Sequence, residues 1–239
     1  MTKSKTAKTL VKPQMTENFL KSEQSFRWIA IGLFLLAFLS YANTLAHGFV
    51  LDDPLAITLN KNITSGFSGI VDIFFGSYRE ANFGGQLYRP LPLIQFAIEW
   101  QLMPDNPLIH HFFNVLWYAL TVVLVYVVMR KWLPSISILV PLTIATIFAL
   151  HPIHTEVVAN IKSRDEIMSL FFLLSAFTVW DVYILQNKKS FLWLSVMLYF
   201  LSLLSKETTI TMFPVFGLLC WTVYRQSLNT SIRKGLIFI

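Results

Sequence analysis

The sequence predicts an all-α polytopic membrane protein with about six transmembrane helices, the start of a seventh, and a large first extracytoplasmic loop. Three observations carry this. Hydrophobic residues make up 55% of the 239 residues and charged residues only 13%, about half the charged share of a soluble domain. Mean hydropathy is +0.58. The apolar residues also gather in runs close to the roughly 20 residues that a bilayer crossing needs.

Residues 1–27 form a basic tail, expected to be cytoplasmic and without fixed structure. The first span runs from about Trp28 to Leu45. It is long for a signal peptide, and no small-x-small cleavage site follows it, so it reads as a retained anchor. Further spans are expected at about Ile109–Met129, Ile136–Leu150, Ile167–Leu185, Phe191–Leu204 and Thr208–Tyr224. The final "GLIFI" reads as the start of a seventh span, so 28–239 is expected to be one transmembrane domain cut short at its C-terminal end. The first loop, 46–108, far exceeds a connector. Its stretches "FSGIVDIFFGSY" (67–78) and "LPLIQFAIEWQL" (91–102) are apolar but too short to span, and read as helices in the interface or on the outer ends of the spans. Cys220 lies in an apolar run and has no second cysteine to pair with.

Positive residues set the orientation. With the N-terminus in the cytoplasm, 13 of the 19 Lys and Arg fall on the inner side, and Trp28, Trp132, Trp193 and Trp221 fall near inner ends. The net charge of +6 therefore reads as topology, not as nucleic-acid binding. The acids run the other way, with 10 of 13 on the outer side. Acids do not set topology, so a polar site on the outer face is the expected cause.

Four stretches hold the candidate chemistry. In "GFVLDDPLAI" (48–57), Asp52 and Asp53 leave two compatible readings open. One acid starts a helix, with Asp53 as N-cap and Pro54 at the first helical position. One is a carboxylate base for a hydroxyl at the membrane surface. In "YRPLP" (88–92), Arg89 is either a snorkelling side chain or a planar fork for phosphate. "HPIHTEVVANIKSRDE" (151–166) packs histidines, acids, Lys162 and Arg164 into one outer turn. His151, His154 and Glu156 have H-x-x-H-x-E spacing, a weak metal signal, so no metal or other cofactor is predicted. Lys162 and Arg164 suit a phosphate, while Arg164, Asp165 and Glu166 also suit an ordinary helix start. In "SKET" (205–208), Lys206 and Glu207 are either an interfacial turn or another cation for an anionic head group. His110, His111 and Asn114 read as polar contacts between helices, and Asp181 as an interfacial charge. These groups come from separate turns on one side, which suits a substrate with a lipid tail and a phosphate head.

"GFVLDDPLAI", "YRPL", "HPIHTEVVANIKSRDEI" and "SKET", in this order, resemble the membrane half of the transmembrane and tetratricopeptide-repeat (TMTC-type) protein O-mannosyltransferases and their bacterial relatives, within the GT-C class. The resemblance covers about Trp28–Tyr224 and is specific to the family rather than the sugar. It implies a polyprenyl- or dolichyl-phosphate sugar donor, a protein, glycan or lipid acceptor, inversion at the sugar carbon, and a first-loop acid as base. Carried onto this chain, that acid is Asp52 or Asp53, and which one stays open. Arg89, His151, His154, Glu156, Lys162, Arg164, Lys206 and Glu207 would serve the donor head group. The expected membrane is the bacterial inner membrane, with the endoplasmic reticulum as the other option. The rival reading is a non-enzymatic transporter or scaffold. A transporter places ionisable residues inside its spans, and the span interiors here are almost free of them.

Overall fold

The computed structural model describes residues 16–76, 88–134 and 136–238. The N-terminal part of the basic tail, and Arg79 and Glu80 of the first loop, lie outside them. The described residues are helical, with no strand among them. Eleven α-helices follow in order: α1 Thr16–Ser40, α2 Lys61–Thr64, α3 Ile70–Phe75, α4 Pro90–Leu102, α5 Pro107–Trp132, α6 Leu139–Leu150, α7 His154–Ala159, α8 Arg164–Gln186, α9 Lys189–Ser205, α10 Phe213–Thr222 and α11 Leu228–Gly235.

Local chemistry explains the main boundaries. The Asn106 side chain accepts from the Leu108 amide and Pro107 takes the first turn, so α5 starts there. It closes on Arg130 and Lys131, cations at the negative end of the helix dipole. Asn187, at φ 53°, ends α8 in the left-handed conformation that asparagine tolerates. The chain then reverses into α9. Two serines fasten that hairpin: Ser195 Oγ donates to the Ala176 carbonyl at 2.9 Å, and Ser202 Oγ to the Ser169 carbonyl at 2.7 Å. Hydrogen bonds of this kind join helices where lipid removes the hydrophobic drive between them.

Small residues let α1, α5, α6 and α8 approach: Ala37, Ala119, Ala145, Ala149 and Ala176 are fully buried in one core with Tyr118, Tyr126, Phe177 and Trp180. Where α10 meets α11, a Cβ on Gly217 would stand 2.9 Å from the Ser231 carbonyl, so only glycine fits. Phe238, beyond α11, stacks on Phe216 inside the bundle. Asp181 is buried rather than interfacial, because Tyr224 reaches over from beyond α10 and donates to its carboxylate at 2.5 Å.

Among the described residues, two helical stretches, Pro107–Trp132 and Ile161–Gln186, are long and apolar enough to cross a membrane. The first expected span falls on α1, which begins at Thr16 inside the expected tail and whose apolar part is Gln24–Ser40, and the other expected spans correspond to shorter helices. The twelve residues of α6 reach roughly 18 Å, against a hydrocarbon core of roughly 30 Å. The expected span at 208–224 is divided into a 3-10 turn, Glu207–Met212, and α10. Large apolar side chains such as Leu39, Ile147, Trp193 and Phe200 point outward, the pattern of a surface solvated by lipid.

The first loop forms a second core, built on Ile57, Ile63, Ile73, Leu93 and Phe96. Its α4 buries Leu93, Phe96, Ala97 and Glu99 and contacts α8 and α9, so it packs on the outer ends of those helices. Phe67, Val71, Phe74 and Phe75 stay exposed along the 67–75 stretch, which is a 3-10 turn, Gly66–Gly69, followed by α3.

Candidate functional site

Asp52 and Asp53 sit in opposite environments. Asp53 is fully buried. Its Oδ1 accepts from the Lys162 amide at 2.8 Å and its Oδ2 from the Val50 amide at 3.1 Å. It precedes a short π-helix, Pro54–Thr58, with Pro54 in the first turn, but its side chain makes no cap bond to that helix. The carboxylate turns instead to the loop before it and to the turn before α8. Burial raises its pKa, while the backbone amides pull the other way. The Asp52 side chain is 49% exposed and lies 3.6 Å from Lys162 Nζ. Lys162 thus addresses both acids, one through its amide and one through its ammonium. Leu51, just before them, is at φ 50° and 80% exposed, an unusual place for a bulky residue.

The other motifs interlock as ion pairs. Arg89, at the start of α4, gives Nε and Nη2 to the two oxygens of Glu207 at 2.7 and 2.5 Å, and Nη1 to Asp165 at 2.5 Å. This is the bidentate geometry that favours arginine. Arg89 holds the Glu207 carboxyl down at about 2, and the two carboxylates hold the Arg89 guanidinium charged. Lys206 pairs with Glu166 beside this cluster. "YRPL", "SRDE" and "SKET", far apart in sequence, therefore meet at one place.

Arg164 is fully buried. Its Nε donates to Asn114 Oδ1 at 2.6 Å, Nη1 to Glu99, and Nη2 to the His110 carbonyl at 2.6 Å, while its guanidinium lies 4.4 Å from the Phe96 ring centre. Glu99 also bonds His110 Nδ1 at 2.5 Å. His110 and Asn114 are thus the interhelical polar contacts their positions predict, whereas the guanidinium of Arg164 faces protein groups on all sides.

A groove of about 390 Å³ opens among α5, α6, α7, α8 and the 207–212 turn. His154, Glu166, Tyr118 and Thr208 line it, with Ile167, Leu170 and Met212 as part of its apolar wall. His154 packs on Phe148, ring centres 4.4 Å apart, and burial lowers its pKa, so the imidazole is held neutral. His151 and Glu156 are exposed, and His151 Nδ1 accepts from the Ile153 amide at 3.2 Å. Among the described residues no group of three or more His, Cys, Asp or Glu is placed to hold a metal.

The structure therefore draws Asp52, Asp53 and Lys162 into one cluster and Arg89, Asp165, Glu166, Lys206 and Glu207 into another. His154 joins the second across the groove, and Arg164 is drawn inward. Sequence reasoning gave Glu99 no site role and took Asp165 only as a helix start. The signal was present in the surplus of outer acids: Asp52, Glu99, Asp165, Glu166 and Glu207 each pair with an outer Lys or Arg.

No family model and no solved structure matches the chain. Curated relatives do. Protein O-mannosyl-transferase Tmtc1 of Drosophila melanogaster is 34% identical over 191 residues, covering 78% of this chain and 22% of that protein. Protein O-mannosyl-transferase TMTC3 of Mus musculus is 32% identical over 190 residues, with 75% and 20% covered. Protein O-mannosyl-transferase TMTC4 of Homo sapiens is 30% identical over 207 residues, with 77% and 28% covered. The chain spans between a fifth and three tenths of the length of these relatives. Over about three quarters of its own length this chain is a homologue of the TMTC-type protein O-mannosyl-transferases, the family its four motifs resemble.

Proposed function

We propose that the chain carries the donor side and the catalytic base of a GT-C-like membrane glycosyltransferase, moving mannose from a polyprenyl- or dolichyl-phosphate to a protein hydroxyl on the extracytoplasmic face. Residues 28–239 act as its transmembrane domain, with six spans and a cytoplasmic N-terminus, so that the paired charges lie at the outer surface. The single observation that carries the reading is the setting of Asp52: a half-exposed carboxylate 3.6 Å from a lysine, with its neighbour Asp53 anchored by two amides.

In this reading Asp52 is the base and Asp53 positions it. The acceptor oxygen attacks the anomeric carbon from the face opposite the lipid phosphate. The carbon–oxygen bond to phosphate breaks with its electron pair, the configuration inverts, and the acceptor proton passes to Asp52. The leaving phosphate needs a cation that is not already enclosed by protein. Lys162 and Lys206 fit, since each is partly exposed and paired with a half-exposed carboxylate. Arg89 and Arg164 then hold the scaffold. The groove beside Glu166 and His154 takes the first part of the donor, with its apolar wall against the lipid and the neutral His154 as a hydrogen-bonding group. The relatives named above are animal proteins, which lends no weight to the bacterial inner membrane over the endoplasmic reticulum.

The test supplies radiolabelled polyprenyl-phosphate mannose and an acceptor peptide to the purified protein, with and without chelator. Label transfer that survives the chelator and disappears in Asp52→Asn is the expected result. Full transfer by Asp52→Asn would remove the base from this proposal.

A further inference from the structure

The first-loop acids are tied to a buried network that no step of the proposed reaction uses. Glu99 of α4 and Arg164 of α8 form an ion pair with both side chains enclosed. Arg164 Nε donates to Asn114 Oδ1. That bond fixes the amide's orientation, with its NH2 turned toward the 158–161 turn, where Nδ2 lies 3.3, 3.0 and 3.4 Å from the carbonyls of Val158, Asn160 and Ile161. The next residue is Lys162, whose amide holds Asp53 and whose ammonium faces Asp52. A continuous line of contacts thus runs from Glu99 through Arg164 and Asn114 to the turn, and from the turn to both acids.

We infer that Glu99 and Arg164 are positioning residues for the Asp52–Lys162 pair, setting the place of the 158–162 turn against the first loop. The inference rests on the proposed function above. A role in stability alone explains the pair poorly. Removing two charges from water costs several kcal/mol per ion, and apolar replacements of such pairs are often neutral or stabilising. What an apolar pair could not do is orient Asn114, because that needs a donor aimed at Oδ1. The Arg164 fork supplies this donor while its other nitrogens reach Glu99 and the His110 carbonyl.

The test uses the Glu99→Gln/Arg164→Met double variant, which removes both charges at similar volume, beside Arg164→Lys, which keeps the charge without the fork. Two readouts are taken on the same purified protein. Hydrogen exchange over 158–163 should rise about tenfold in both variants as the Lys162 amide loses its fixed acceptor. Mannose transfer should fall about 100-fold in kcat, with the donor KM changed by no more than about twofold, the mark of misplaced groups rather than lost binding. Glu99→Asp, which keeps the charge pair, should recover part of the rate. Unchanged exchange with a lowered melting temperature would overturn the inference and leave the pair a structural one. If the wild type transfers no mannose, the glycosyltransferase reading fails, and exchange alone decides whether the pair positions the turn.

Discussion

Asp52 and Asp53 are adjacent in the chain, yet one carboxylate is half-exposed beside the Lys162 ammonium and the other is sealed between the Val50 and Lys162 amides. Their substitutions should therefore part company. Asp52→Asn should change stability by no more than about 0.5 kcal/mol and abolish transfer. Asp53→Asn leaves one of the two amides facing an NH2 group, which should cost about 1–3 kcal/mol. Thermal melts of both variants, read beside the transfer assay, check the pair. A destabilised Asp52→Asn with a native-like Asp53→Asn would reverse the assignment.

Arg89 and Glu207 give a pH prediction. The Glu207 carboxyl is pulled to about 2 by Arg89, below its ordinary 4.5. Below its ordinary value the unfolded state binds the proton more readily than the folded one. The stability from this pair is therefore complete above about pH 4.5 and is lost as pH falls toward 2. The melting-temperature gap between wild type and Glu207→Gln should be the same at pH 7 and pH 5.5, and should narrow only below that range. A gap that closes already between pH 7 and 6 would contradict the arrangement.

Leu51 holds a left-handed backbone at φ 50° with its side chain in the open. A bulky L-residue there costs roughly 1–2 kcal/mol, and glycine returns part of that through its own entropy loss. Leu51→Gly should stabilise the protein by about 0.5–1 kcal/mol, while Leu51→Val, branched at Cβ, should destabilise it. Differential scanning fluorimetry of the two variants reads the sign directly.

Ser195 and Ser202 fasten α8 to α9 through two backbone carbonyls. Each Ser→Ala change should cost about 0.6 kcal/mol, the average for hydrogen bonds between membrane helices. The two sites share no partner, so the double variant should lose close to the sum. Unfolding in mixed micelles checks this, and losses well below that value would mean the helices are held by packing alone.

Much of this protein was legible in its sequence because the signals are local. Apolar runs marked the helices of the bundle, and the apolar stretch at 91–102 marked α4. "LDDP", "YRPL", "SRDE" and "SKET" gathered the reactive side chains and carried the resemblance that the animal relatives bear out. The rest depended on distance. Sequence treated Arg89, Arg164 and Lys162 as three comparable cations for a phosphate. Their roles parted only because Glu207 and Asp165 enclose the first, Glu99 and Asn114 bury the second, and the third is left beside Asp52. Asp52 and Asp53 were likewise interchangeable until the Lys162 amide, 109 residues on from Asp53, chose one of them. The sequence by itself determined an all-α chain rich in membrane-type helices, and which residue types stand at its polar turns. Tertiary structure alone decided which charges cancel inside the protein and which face outward, because a carboxylate or guanidinium takes its chemistry from the partners within about 4 Å, and chain order does not encode them.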